Sequence, residues 1–311
     1  MLQSIKNKLL ELGPQSAILQ GALSLHCRSR GFHVKFEDQS IRLTRGDCEM
    51  ILTESQVKEV PIMMECFDVF FQGFVPDRRG TNSVLDFSKP GFHTYRNEGV
   101  GFYFPSIGEE ESIGAYTYWY TPGPGDIVFD AGAHAGATSY FFAKMVGPSG
   151  KVFAFEPDDN NYHYLLKNIE YHKLTNVIPV KMALAGSTGT LLFNMDGTMS
   201  AGLADYLVYT DKSSQKPVEA MTLADACASL GAVPRFVKMD IEGAEVTVID
   251  SSRDFLKTHG VHFAIESYHR VNEELTYKAL DRIFPQIDYR VESSDRFKQM
   301  FTWAKPPENT V

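Results

Sequence analysis

The sequence predicts an α/β fold in which a doubly wound, mostly parallel sheet carries helices on both faces. Short apolar segments that end at acidic residues recur in the second part of the chain. Segments with helical spacing of apolar residues separate them. Strands that alternate with helices in this way favour a parallel sheet, because each parallel strand needs a long crossover connection.

Residues 1–108 are predicted to form an accessory region of α+β type on the substrate side, and residues 109–311 the main domain. Alternating polarity predicts strands in the first region, and apolar side chains at helical spacing predict a helix whose apolar face packs in a core. The predicted elements are a hairpin, a helix, a turn and a further pair of strands, at residues 32–36 with 41–43, 57–74, 78–83, and 84–88 with 100–104.

The main domain follows by alternation of strands and helices. The predicted strands lie at residues 127–129, 151–157, 176–183, 190–193, 236–239 and 262–265, and the predicted helices begin near Thr138 and cover residues 162–172, 223–230 and 245–250. An aromatic cluster at residues 116–120 precedes the first of these strands and is predicted either to line a substrate mouth or to pack at a domain junction.

The loop at residues 130–136, with the sequence Asp-Ala-Gly-Ala-His-Ala-Gly, directly follows an apolar strand. Gly132 and Gly136 allow a tight turn and a close approach of the backbone to a ligand, and the next helix presents free N–H groups. A dinucleotide site would show G-x-G-x-x-G and would disfavour an acid beside the pyrophosphate. S-adenosylmethionine (SAM) carries a cationic sulfonium and an amine instead, so Asp130 favours a SAM site.

An acid at the end of the next strand is the second feature of such a nucleotide site, because it hydrogen-bonds the ribose hydroxyls. Glu156 has this position, twenty residues after Gly136, a spacing that fits one helix between two strands. Asp240 and Glu242 follow a third apolar strand. Because ligands bind outside the carboxyl ends of strands in open α/β sheets, we expect these acids to line one cleft with Asp130.

Three motifs resemble those of the FkbM-type SAM-dependent methyltransferases. They are D-x-G-A-x-x-G at residues 130–136, F-E-P at 155–157 and K-x-D-x-E-G-x-E at 238–245, and the resemblance extends over about 125–266. It implies a Rossmann-like class I methyltransferase domain, with Asp130, Gly132, Gly136 and Glu156 at SAM and Asp240 and Glu242 near the transferred methyl group. Where the family usually has Asn, this chain has His134, which can donate the same hydrogen bond and can also become charged near neutral pH.

The predicted site comprises a cofactor set and a catalytic set. The cofactor-binding residues are Asp130, Gly132, Ala133, His134, Gly136, Thr138, Glu156, Pro157 and Asp240. A hydroxyl acceptor benefits from a base that removes its proton, and the candidates are Asp240, Glu242, Glu266 and His269, with Asp240 preferred. A divalent cation at these acids is possible but not expected, since a cationic cofactor already accounts for local acidity.

Composition limits the partners and the compartment. The chain of 311 residues carries a net charge of −9 and shows no dense basic stripe, so nucleic acid is not expected as a partner. Residues 1–13 lack the apolar core of a signal peptide, and no stretch has the ~20 apolar residues of a membrane span. The four cysteines are scattered, which favours reduced packing residues in a cytoplasmic protein. Exposed apolar surface is compatible with a homodimer.

The sequence therefore predicts a cytoplasmic SAM-dependent methyltransferase that yields S-adenosylhomocysteine and methylates a hydroxyl oxygen of a sugar or secondary metabolite. One alternative is N-methylation of a peptide or side-chain amide, which an extended groove would favour. A second alternative is a non-catalytic, SAM-binding regulatory protein, which tight SAM binding with slow turnover would favour.

Overall fold

A computed structural model describes residues 13–109, 113–194, 202–203, 215–271, 273–297 and 299–308. The chain divides into two compact units, Met1–Glu111 and Ser112–Val311. Within the described residues, no helix combines the length and apolar character that crossing a membrane requires. Apart from Gly13, the N-terminal stretch considered above lies outside the described residues.

The described residues of the first unit form a mixed sheet, a separate hairpin and two α-helices. Its helices are α1 (Ala17–Ser29) and α2 (Val60–Gly73), with a 3₁₀ segment at Glu54–Glu59. Its strands are β1 (His33–Phe36), β2 (Ser40–Arg45), β3 (Cys48–Thr53), β4 (Asp77–Arg79), β5 (Asn82–Asp86), β6 (Gly91–Thr94) and β7 (Gly101–Phe104). The five-stranded sheet has the order β1-β2-β3-β5-β4, and β6 pairs with β7.

The predicted hairpin and helix of this unit are confirmed. Strands β1 and β2 pair antiparallel, as the alternating polarity of the sequence requires. Helix α2 has a proline in its first turn, where a missing N–H costs no hydrogen bond. Its apolar stripe is buried at Met63, Met64, Phe67 and Phe70, which confirms the core-packing interpretation.

Two further predictions for this unit are confirmed only in part. The turn or loop predicted at residues 78–83 is a turn at 80–81 alone, because β4 and β5 enter this segment, with Arg79 opposite Asn82. The left-handed φ of +65° at Gly80 allows the turn to be this short. The strands at 84–88 and 100–104 are not partners, because β5 pairs with β3 and β4 while β7 pairs with β6. Alternating polarity identifies a strand but not its distant partner.

His93 on β6 lies in an aromatic environment that disfavours its charged form. Its ring centroid is 4.7 Å from that of Phe87 and 6.0 Å from that of Phe74. Burial lowers the pKa of His93 to about 4, although the Asp77 and Asp86 charges act in the opposite direction. The folded protein therefore holds this imidazole neutral at pH values where the unfolded chain takes up a proton.

We expect this imidazole to make stability depend on pH. A depressed pKa in the folded state gives stability that is present above the unfolded pKa and is lost as pH falls toward the folded pKa. Between about pH 7.5 and about pH 5, wild type should lose roughly 2 kcal/mol more unfolding free energy than His93→Phe. Urea denaturation at both pH values measures this difference. The exposed His33→Phe variant should follow wild type, and equal pH slopes for wild type and His93→Phe would refute the assignment.

The second unit contains the main sheet. Its helices are α3 (Ile113–Tyr116), α4 (Ala137–Val146), α5 (Asp159–His172), α6 (Leu223–Leu230), α7 (Glu245–Ser251), α8 (Arg253–Thr258) and α9 (Thr276–Ile283), with a 3₁₀ segment at Phe284–Ile287. Its strands are β8 (Ile127–Ala131), β9 (Lys151–Phe155), β10 (Val177–Val180), β11 (Ala183–Leu184), β12 (Gly189–Asn194), β13 (Gly202–Leu203), β14 (Gln215–Met221), β15 (Phe236–Met239), β16 (His262–Glu266), β17 (Arg270–Val271), β18 (Glu274–Leu275), β19 (Arg290–Ser294) and β20 (Phe301–Lys305).

The main sheet has the order β10-β9-β8-β15-β16-β20-β19. The first five strands in this order, β10, β9, β8, β15 and β16, are parallel to one another. Strand β20 is antiparallel to both of its neighbours, β16 and β19. The predicted fold class is confirmed. Strand β8 lies between β9 and β15, so the strand order reverses beside it. In such sheets the crevice at the carboxyl ends of the strands is the position for a ligand.

Successive residues of the central strands enter two separate cores. Phe129, Phe153 and Val237 pack with helices α6 to α9. Val128 and Val152 pack on the other side with helices α4 and α5. Because side chains alternate between the two faces of a strand, the sheet carries helices on both faces, as predicted.

Part of the sheet arrangement differs from the prediction. The predicted third strand at 176–183 is divided, because β10 belongs to the main sheet while β11 begins a four-stranded sheet of order β11-β14-β12-β13. The segment 190–193 also belongs to this smaller sheet, within β12. Strands β19 and β20 were not predicted, although β20 places the fully buried Trp303 beside β16.

Candidate functional site

The predicted site residues meet at the carboxyl edge of the main sheet. Asp130 lies near the end of β8, and the glycine loop follows it. Glu156 comes directly after β9, and Asp240 comes directly after β15. Glu266 ends β16. Because these strands are parallel neighbours, their carboxyl ends bring the acids to one edge.

Glu156 is held in place by backbone amides. Its Oε2 accepts a hydrogen bond of 2.8 Å from the His134 N–H, and its Oε1 accepts one of 2.9 Å from the Asp158 N–H. His134 has a left-handed φ of 47°, which histidine tolerates better than most residues and which turns the loop toward this carboxylate. Burial raises the pKa of Glu156 to about 7 despite the opposing influence of His134.

A small pocket lies beside Glu156, with a cavity volume of about 30 Å³ within about 370 Å³ of empty space that includes open solvent. Glu156 and Asp240 contribute its charged groups. The full lining consists of Gly132, Phe155, Glu156, Pro157, Met182, Ala183, Leu184, Phe193, Asp240 and Ile241. A mostly apolar pocket with a few fixed polar groups is typical of a cofactor site.

The other predicted cofactor residues follow Gly132 in the chain. Ala133 and His134 are buried, and the Ala133 N–H donates a 2.9 Å hydrogen bond to the Phe155 carbonyl. Gly136 has a φ of +85°, and a Cβ there would lie 2.6 Å from Leu165 Cδ1. Thr138 is half-buried in the first turn of α4. The loop therefore packs closely against β9 and α5.

Asp130 is completely buried and pairs with groups inside the protein. Its Oδ2 accepts a 2.6 Å hydrogen bond from Ser139 Oγ, and its Oδ1 lies 3.3 Å from Lys238 Nζ. Lys238 Nζ also donates a 2.6 Å hydrogen bond to the Gly132 carbonyl. This buried lysine thus links β15 to β8 and to the glycine loop. The sequence analysis gave Lys238 no role, although a lysine inside an apolar strand was a visible signal.

Three carboxylates surround the imidazole ring of His269. Its Nδ1 lies 3.2 Å from Glu245 Oε1, and its Nε2 lies 3.5 Å from Glu242 Oε2 and 3.7 Å from Asp240 Oδ1. Burial acts to lower the pKa of His269, but the Glu245, Glu242 and Asp240 carboxylates outweigh burial and raise that pKa to about 10. Glu242 has a left-handed φ of 58°, a conformation that is uncommon for this residue type.

Glu245 fixes the loop that carries Asp240 and Glu242. Its Oε1 accepts hydrogen bonds of 3.0 Å from the Ile241 N–H and 3.3 Å from the Gly243 N–H. Burial would raise the pKa of Glu245, but the adjacent His269 charge outweighs burial and lowers that pKa. The sequence analysis quoted Glu245 only as part of a motif and did not identify this contact.

Glu266 is the fourth predicted catalytic residue and is also buried. Its Oε1 accepts a hydrogen bond from the Tyr116 hydroxyl. Burial and the Asp240 charge raise the pKa of Glu266 to about 8, so this side chain is largely protonated at neutral pH. Within the aromatic cluster, Tyr116 thus reaches the site edge. Tyr120 instead stacks on Phe236 and His262, the first residues of their strands, at the opposite edge of the sheet.

The fold and this edge define an open α/β protein with a ligand pocket at its switch point. The profile of the Methyltransferase FkbM domain matches residues 130–291. The match covers more than half of the 311 residues, and the chain belongs to this family. The resemblance drawn from the three motifs is confirmed.

Other similarities are more distant. The chain is 34% identical over 56 residues to the catalytic subunit of tRNA (adenine(58)-N(1))-methyltransferase from Yarrowia lipolytica, across 18% of this chain and 14% of the subunit. The FkbM methyltransferase of Methylobacillus flagellatus KT is similar with a TM-score of 0.44 and 18% identity, across 63% of this chain and 48% of that one. Aeropyrum pernix fibrillarin, solved with natively bound SAM, has a TM-score of 0.40 and 14% identity, across 88% and 97% of the two chains. This chain thus spans less than two thirds of the first two of these proteins.

Proposed function

We propose that this protein is a SAM-dependent methyltransferase whose cofactor occupies the pocket beside Glu156. The observation that carries the proposal is the position of Glu156, which is buried, held by two backbone amides and directed to a mostly apolar pocket at the switch point of the sheet. Membership of the FkbM methyltransferase family supports the same function.

The residues present fit this cofactor. Glu156 has acceptor capacity for ribose hydroxyls, and Met182, Leu184 and Ile241 provide apolar surface for the base. Asp240 lies on the same pocket wall and offers negative charge near a cation. When bound, SAM supplies an electrophilic methyl group on its sulfonium. The chain binds the cofactor, excludes water and orients the acceptor.

The proposed acceptor is a hydroxyl of a sugar or a secondary metabolite. The carboxylates Asp240 and Glu242 stand next to the pocket, where an acceptor proton would be removed. We assign the base to Asp240, because the raised pKa of His269 leaves its imidazole protonated and unable to accept a proton. His269 then acts as a positioning residue for both carboxylates. Tyr268 is 40% exposed beside His269 and offers a ring face to a flat acceptor.

Charge argues against a nucleic-acid acceptor of the kind named for the Yarrowia relative. The chain carries a net charge of −9, and the proposed site is rich in carboxylates. Phosphate backbones require basic surfaces to bind. A small neutral acceptor meets no such repulsion.

Calorimetric titration with SAM and S-adenosylhomocysteine tests the proposal. We expect wild type to bind both ligands, and Glu156→Ala to weaken binding by about 10–100-fold through loss of a charged hydrogen-bonding group. The raised pKa of Glu156 adds a second expectation. The ionised carboxylate binds the ribose, so affinity should fall roughly tenfold between about pH 8 and about pH 6, while Glu156→Gln shows no such slope.

Glu170→Gln is the matched control, because Glu170 is exposed on α5, the helix that follows Glu156. It should bind like wild type. A folded wild-type protein that binds neither ligand, or a Glu156→Ala variant with unchanged affinity, would reject the proposed cofactor site.

A further inference from the structure

Asp240, Glu242 and His269 bring together three groups of the kinds that bind metal ions. One atom from each side chain lies within 4.8 Å of the other two, and no other such group occurs in the described part of the chain. Bonds from a divalent cation to carboxylate oxygen and imidazole nitrogen measure about 2.0–2.2 Å. Small side-chain movements therefore allow one cation to reach all three atoms.

The imidazole of His269 is the observation that separates this group from an ordinary acidic cluster. Its side chain is only 8% exposed. Neither of its ring nitrogens makes a hydrogen bond of normal geometry within the described residues, and Nε2 lies 3.5 Å from Glu242 Oε2 and 3.7 Å from Asp240 Oδ1. These distances are too long for good hydrogen bonds and are close to the separation of two ligands that share one cation.

The other ring nitrogen lies beside a carboxylate, as the second nitrogen of a metal-binding histidine commonly does. Nδ1 lies 3.2 Å from the buried Glu245 Oε1, which the Ile241 and Gly243 amides also contact. A carboxylate at one imidazole nitrogen fixes the orientation of the ring and directs the other nitrogen to the metal. Glu245 would thus act as a positioning residue and not as a ligand.

We propose that Asp240, Glu242 and His269 form a binding site for a divalent first-row transition-metal cation. Two carboxylates balance the charge of the cation, and binding of the cation would displace the proton from Nε2 of His269. The carboxylates suit Mn²⁺ and the imidazole suits Zn²⁺, whereas Ca²⁺ and Mg²⁺ prefer all-oxygen sites. The role of the cation rests on the proposed methyltransferase function. It would bind the acceptor hydroxyl and polarise it next to the cofactor pocket, so that a weaker base suffices to remove the proton.

Mn²⁺ titration of the protein without SAM tests the site, with free Mn²⁺ measured by electron paramagnetic resonance. We expect one bound Mn²⁺ in wild type and at least about tenfold weaker binding in His269→Ala and in Glu242→Gln. His163→Ala should bind like wild type, because His163 is exposed on α5. Excess Mg²⁺ should displace Mn²⁺ poorly.

The proposed SAM site and the proposed metal site can be tested independently of each other. Glu156→Ala should weaken SAM binding and keep Mn²⁺, whereas Glu242→Gln should weaken Mn²⁺ binding and keep SAM, because Glu242 does not line the cofactor pocket. Absence of stoichiometric Mn²⁺ binding in wild type would overturn the metal site, and so would unchanged binding in His269→Ala. If circular dichroism shows that His269→Ala does not fold, Glu242→Gln decides in the same way, because it keeps the size of the side chain and removes only its charge.

Discussion

Replacement of Lys238 by methionine is expected to lower the free energy of unfolding by about 3–5 kcal/mol, because it leaves a buried carboxylate without its counter-charge. Asp130 and Lys238 are 0% and 3% exposed, so water cannot replace the lost ammonium group. The hydrogen bond from Lys238 to the Gly132 carbonyl would also be lost, which loosens the glycine loop. Urea denaturation followed by fluorescence measures the change.

A surface pair in the same unit provides the control. Lys257 and Asp254 form an ion pair of 3.0 Å on α8 with side chains that are 54% and 97% exposed. Lys257→Met should therefore change stability by less than about 1 kcal/mol. The double variant Asp130→Asn with Lys238→Met should recover part of the loss, since the remaining amide is neutral. If Lys238→Met and Lys257→Met lowered the free energy of unfolding equally, the buried ion pair would contribute no more to stability than the surface pair.

The acids at this edge of the sheet differ in their partners. Some are paired with cationic side chains and support the loops, whereas Glu156 is left to bind a ligand. Lys238 neutralises Asp130 between β8 and β15. His269 lies among Glu245, Glu242 and Asp240. Glu156 accepts hydrogen bonds from backbone amides and forms no ion pair with another described residue, and burial raises its pKa. Thus Asp130 forms an ion pair and a hydrogen bond within the protein and supports the loop, while Glu156 keeps capacity for a ligand. Contact between Asp130 and the cofactor stays a prediction.

Local sequence information was sufficient to predict which acids lie at the same edge of the sheet. An apolar strand followed by an acid marks the carboxyl end of a strand, and the parallel order then brings Asp130, Glu156 and Asp240 to one edge. Helix boundaries also follow from local signals, as at α5, where the Asp158 side chain accepts hydrogen bonds from the Asn160 and Asn161 amides. These features depend on neighbouring residues in the chain.

Features that depend on distant partners were not predictable in this way. Tyr116 and Glu266 meet across 150 positions of sequence, and the pairing of Lys238 with the Gly132 carbonyl spans 106. Strand β20 inserts antiparallel between β16 and β19, although the chain passes through α9 first. No periodicity within a short segment specifies which distant strand or side chain will be its partner. The same limit explains why β11 and β12 were not assigned to a separate sheet.

Replacement of Gly132 by alanine is expected to destabilise the second unit by about 2–5 kcal/mol and to weaken SAM binding. Gly132 has a φ of +75°, and a Cβ there would lie 1.8 Å from the Asp240 carbonyl oxygen. The glycine therefore permits direct backbone contact between the loop after β8 and the loop after β15. An added methyl group must move Asp240 away from the pocket that Gly132 and Asp240 both line.

Gly231→Ala separates this steric clash from the cost of a left-handed backbone. Gly231 has a φ of +60° at the end of α6, and apart from its neighbours in the chain no atom of the described residues lies within 4 Å of the position of its Cβ. It should lose only about 1 kcal/mol and bind SAM like wild type. The difference between the two variants then measures the contact between the two loops. If Gly132→Ala behaved like Gly231→Ala in both stability and SAM affinity, the loops would not depend on this contact, and Asp240 would owe its position to Glu245 and His269 alone.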